Sequence, residues 1–143
     1  MKIFSFVLTL FVLVSFVTCE PEPLWSRIGH ELVSDIAQHY LNRNALSHMK
    51  KLFPAGTLRS ESMWADNVKR LPEWKFSSPY HFANFPGNSC DYQPARDCRL
   101  PRSCIVNAIF NYTSQIKSSD LEKAKVALRF VVHFIGGFFF ELF

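Results

Sequence analysis

The chain has 143 residues, 48% of them hydrophobic and 20% charged, with a formal net charge of +4. That balance is globular and excludes a disordered or fibrous protein, and the length allows one domain or a piece of a larger one. The positive bias eases approach to phosphates, but it is too small for a histone-like packaging role.

Lys2 precedes an apolar run over residues 3–17, broken only by Ser5, Thr9 and Ser15. This pattern predicts a signal peptide over residues 1–19, cleaved after Cys19. The run is shorter than the roughly 18–20 residues that a membrane span prefers. The predicted location is the secretory pathway, ending outside the cell or in a vacuolar-type compartment. Such a compartment permits disulfides and makes Asn111, in Asn111-Tyr112-Thr113, a glycosylation acceptor. Cys98 and Cys104 bracket a short loop and are predicted to pair, which leaves Cys90 without a partner in this chain.

Residues 20–24 are polar and proline-rich, a short pro-segment or linker. A first helix carries Val33, Ile36, Ala37, Tyr40 and Leu41 as one apolar stripe. Asn44 is predicted to cap a second, with Leu46, Met49 and Phe53 inward and a stop at Pro54 and Gly56. Ser60 is predicted to start a third around Met63, Trp64 and Val68, ending near Pro72. The stretch from residue 74 to 101 reads as a long loop with a short extended piece at residues 80–85. Ser103 is predicted to cap a fourth helix with Ile105, Val106, Ile109, Phe110 and Thr113 on one side. Asp120 caps a fifth, with Leu121, Ala124, Leu128, Val131, Val132 and Ile135 inward, running to Gly136 and Gly137. No segment alternates with period two, so the fold class is all-α.

Of the five histidines, His39 and His48 lie among polar residues and are predicted to be solvated. His30, His81 and His133 each lie near other potential ligands, and imidazoles with one carboxylate, Asp66, suit zinc. The ligands are scattered along the chain, so spacing alone is a weak signal.

Taken together, the motifs are specific. Trp25-Ser26-Arg27-Ile28-Gly29-His30, Trp64-Ala65-Asp66, Tyr80-His81-Phe82 and Arg96-Asp97-Cys98 occur in the order of the S1/P1 nuclease family, which the chain resembles. Cys104-Ile105-Val106-Asn107-Ala108-Ile109 and His133-Phe134-Ile135-Gly136 extend the likeness. The resemblance implies the N-terminal portion of the helical phospholipase C/P1 nuclease-like fold, spanning residues 25–143. It also implies secreted, zinc-dependent hydrolysis of RNA and single-stranded DNA, with 3′-nucleotides as further substrates and no obligate protein partner. Three zinc ions are implied. Trp25, as the mature N-terminus, would bind one through its amine and carbonyl beside His30; an α-amine with a pKa of about 8 gives up its proton to a metal readily. Asp66, His81 and His133 would hold a second ion. Lys69 falls where the family has a basic residue near the phosphate, Phe82 matches its base-stacking aromatic, and Asn84 is placed to read a base edge.

The sequence departs from the family pattern near its end. Gly137 replaces a carboxylate that would bridge two metals, and Phe139 and Phe143 replace two histidines. These departures predict a truncated, catalytically impaired form that lacks several zinc ligands. Two other readings are an inactive pseudoenzyme and a small cationic protein that binds membranes through its phenylalanine-rich end.

Overall fold

The computed structural model describes residues 27–83, 93–98 and 104–141, with side chains to residue 138. The predicted signal peptide and linker, Trp25, Asn84, Cys90, Ser103 and Phe143 lie outside the described residues, as does the side chain of Phe139. Among the described residues, seven α-helices follow one another: α1 Arg27–His39, α2 Arg43–Leu52, α3 Leu58–Glu61, α4 Trp64–Val68, α5 Pro94–Asp97, α6 Ile105–Gln115 and α7 Leu121–Glu141. A 3₁₀ helix, Pro72–His81, lies between α4 and α5. Among the described residues there is no strand, and the fold is all-α.

Helix α7 is the axis of the fold. Ala127, Phe130, Val131 and Phe134 pack with Ala108 and Tyr112 of α6 and with Ala65 of α4. Tyr112 stacks on Phe130 with ring centroids 4.5 Å apart, and Phe130 on Phe134 at 5.2 Å. On another side of the same helix, Ala124 meets Met49, Leu52, Phe53 and Leu58. A helix buried on several sides has no single apolar stripe. The predicted inward set was therefore right only in part: Ala124 and Val131 are buried and Leu128 and Val132 pack on the Met49 cluster, but Leu121 and Ile135 are exposed, and the fully buried Ala127, Phe130 and Phe134 were not in it. The helix also continues through Gly136 and Gly137 to Glu141.

Helix α1 turns much of its predicted stripe outward, although Val33 and Leu41 are half-buried and Leu41 packs on the Met49 cluster. Gly29, His30 and Ser34 are buried, whereas Ile36 is 52% and Tyr40 81% exposed. Small residues face inward because α1 comes close to α7 at Gly136, where a Cβ would stand 2.7 Å from His30 Nδ1. On α6 the buried residues are Ile105, Ala108 and Tyr112, and Phe110 is 74% exposed.

Several predicted caps move. Asn42, not Asn44, caps α2 by accepting from Ala45 N at 2.9 Å. The helix predicted to start at Ser60 is two short ones: Thr57 caps α3 in a capping box with Ser60, and α4 follows. Asp120 caps α7 as predicted, accepting from Glu122 N and Lys123 N. The predicted long loop contains the ten-residue 3₁₀ helix, after which Phe82 is extended and accepts from Ile105 N at 3.0 Å. Cys98 and Cys104 form a disulfide with Cα atoms 5.3 Å apart. His48 is half-buried against the Ile116 carbonyl, 3.0 Å from Nε2, rather than solvated.

Candidate metal centre

Four elements deliver four side chains to one place. The first turn of α1 supplies His30, α4 supplies Asp66, the end of the 3₁₀ helix supplies His81, and α7 supplies His133. All three imidazoles are buried, and Asp66 is half-buried. The ligating atoms of His30, Asp66 and His133 lie within 4.8 Å of one another. His81 Nε2 and His133 Nε2 are each 3.5 Å from Asp66 Oδ1.

The rings are held from behind. His81 Nδ1 lies 3.0 Å from the Ser77 carbonyl and His133 Nδ1 2.7 Å from the Ser62 carbonyl. A carbonyl only accepts, so each Nδ1 carries the proton and each Nε2 is the nitrogen left for a ligand. Histidines that ligate metals are oriented in this way by their second nitrogen. His81 Nε2 is buried with no hydrogen-bond partner. Leaving such a nitrogen unmatched is costly, and a cation would relieve it. The donor set of imidazoles plus one carboxylate therefore fits zinc.

Electrostatics keep the donors ready. Burial, with the neighbouring His133 as second cause, lowers the pKa of His30 to about 4. Burial, then His133 and Lys69, does the same for His81. Burial opposes ionisation of Asp66, but contact with His133 and Lys69 outweighs it and holds the carboxyl well below the ordinary carboxylate range. Neutral imidazoles and an ionised carboxylate are the forms that bind a metal.

The remaining candidates sit around this core. Lys69 Nζ lies 2.5 Å from Asp66 Oδ1. Phe82 is 47% exposed, one residue beyond His81. Asn111 is half-buried within α6, its carbonyl accepting from Ser114 Oγ. Sequence reasoning missed the Ser62 and Ser77 carbonyls, because main-chain acceptors have no side-chain signature. It also missed Gly136, although paired glycines in an apolar helix signal a close approach. A Cβ at Gly137 would meet Ile105 at 3.5 Å and His30 at 3.7 Å, ordinary contacts.

The comparisons agree with one another. The model of the S1/P1 Nuclease family matches residues 25–138. Endonuclease 3 of Arabidopsis thaliana is 37% identical over 123 residues, which is 78% of this chain and 41% of that protein. Endonuclease 2 of the same plant is 38% identical over 126 residues, covering 78% and 42%. Nuclease P1 of Penicillium citrinum is 35% identical over 120 residues, covering 78% and 44%. The chain spans less than half the length of these relatives. With most of its residues inside the family's pattern, the chain belongs to the S1/P1 nuclease family.

Proposed function

We propose that the chain serves a secreted, zinc-dependent endonuclease that hydrolyses phosphodiester bonds in RNA and single-stranded DNA, with 3′-nucleotides as further substrates. The observation that carries this reading is the convergence of three buried imidazoles on one carboxylate. His30, Asp66, His81 and His133 hold zinc, joined by Trp25 once residues 1–24 are removed. Zinc bound there supplies a Lewis acid that neutralises phosphate charge and makes water more acidic.

The other residues bind and orient. Phe82 offers an exposed ring face to an unpaired base, and Asn84 adds a hydrogen bond to the base edge. Lys69 places a positive charge beside the centre, suited to a phosphate oxygen. Gly137 provides no carboxylate, so the centre has one donor fewer than the resemblance implies. Its intrinsic activity should therefore be lower than that of a nuclease with the full set. Asn111 carries a glycan if the chain passes through the secretory pathway.

The test is hydrolysis of a single-stranded oligonucleotide by the zinc-loaded chain. Slow cleavage that His81→Ala abolishes is the expected result. No cleavage, or cleavage unchanged by His81→Ala, would overturn the reading.

A further inference from the structure

Asp66 Oδ1 is the meeting point of three nitrogens. Lys69 Nζ is 2.5 Å away, and His81 Nε2 and His133 Nε2 are each 3.5 Å away. Both rings direct Nδ1 at main-chain carbonyls, so in the neutral form both present lone pairs at Nε2. The unpartnered lone pair of His81 Nε2 and the carboxylate oxygen 3.5 Å away repel one another unless positive charge lies beside them. The Lys69 ammonium supplies that charge. A zinc ion would need the same oxygen, at about 2.0–2.2 Å. Two cations crowded on one oxygen repel strongly in a half-buried site.

Resting on the zinc reading above, we propose that Lys69 is a built-in competitor for the metal. Its ammonium holds Asp66 Oδ1 in the metal-free protein and is expelled when a divalent ion takes that oxygen. The surroundings confine the exchange to one side chain. Lys69 N donates to the Ala65 carbonyl at 3.0 Å, and Ser78 Oγ donates to the Lys69 carbonyl at 3.0 Å, so the main chain is fixed at both polar groups. The side chain is 24% exposed, which leaves the ammonium an outlet to water. Asp66 and Lys69 stand three residues apart on one helical turn, so no element has to shift. Lys69 is thus a positioning residue. It keeps the carboxylate ionised and in place, and it lowers metal affinity below what the ligands alone would give.

Two measurements on the full-length chain test this. Amine acetylation mapped by mass spectrometry, with and without zinc, reads the release of this side chain, because only the free amine is acylated and an ammonium held by a carboxylate is protected; Lys69 should react several-fold faster with zinc, relative to Lys75. Zinc affinity by chelator competition reads the competition. Lys69→Met should bind about tenfold tighter, the scale of one charge-assisted hydrogen bond, while Arg70→Met on the exposed neighbour shifts affinity by no more than about twofold. Unchanged Lys69 reactivity in the zinc-loaded chain, or an equal shift in both variants, overturns the exchange and leaves the zinc reading standing. No zinc binding by any of the three proteins overturns both.

Discussion

The imidazoles of His30 and His133 lie face to face, with ring centroids 4.2 Å apart and planes 8° from parallel. One ring comes from the first turn of α1 and the other from the middle of α7. Stacked buried rings of this kind disfavour two positive charges, which is one reason that His30 resists protonation.

A first prediction concerns acidity. His30 and His81 have folded-state pKa values lowered to about 4, against 6.5 for an ordinary histidine. Between those values the unfolded chain binds more protons than the folded one, so stability falls as pH drops from 6.5 towards 4. The pKa of Asp66 is also lowered, but from an ordinary carboxyl value of 3.8, so its stabilising contribution is lost only below this window. Thermal midpoints of the chelator-treated chain should fall steadily across the interval. A midpoint that stays flat there would show that these imidazoles are not buried as described.

The second concerns the paired glycines. At Gly136 an added Cβ would stand 2.7 Å from the buried His30 ring, and overpacking of this kind costs about 1–3 kcal/mol. At Gly137 the nearest atoms are 3.5 and 3.7 Å from such a Cβ. There an alanine keeps its gain in helix propensity, up to about 1 kcal/mol. Gly136→Ala should therefore destabilise the fold and Gly137→Ala should stabilise it in urea denaturation. Shifts of the same sign and size would contradict the close approach of α1 to α7.

A third prediction concerns Arg129, which reads in the sequence as an interruption of an apolar helix. Its guanidinium lies 5.3 Å from the Phe53 ring centroid and 5.1 Å from that of Trp64, and its Nε donates to Glu61 Oε2 at 2.6 Å. A planar cation packed over two rings is poorly replaced by an ammonium. Arg129→Lys should cost about 1 kcal/mol, and a stability equal to wild type would remove Arg129 from the packing.

The sequence made some of this legible and hid the rest for physical reasons. The all-α class followed from the 3.6-residue patterns and the absence of alternating segments, and Asp120 identified its own cap. Helix faces were harder to read. The most regular apolar pattern on α1, ending at Ile36 and Tyr40, faces water, while Gly29 and Ser34 face inward because α7 comes close. The ten-residue 3₁₀ helix looked like loop because Pro72, Pro79 and polar residues mask its turn-by-turn order. His30, Asp66, His81 and His133 are too scattered for spacing to join them; only the ordered motifs around them pointed to a shared centre. The carbonyls of Ser62 and Ser77, which orient two of the rings, could be found only in three dimensions.

The most direct measurement is calorimetric titration of the purified full-length chain with zinc, beside His133→Ala and His30→Ala variants whose helicity is checked by circular dichroism. If these side chains hold zinc, the wild-type chain binds it and each variant loses affinity by about 100-fold or more. Folded variants that bind zinc as tightly as wild type, or a wild-type chain that binds none, would contradict it.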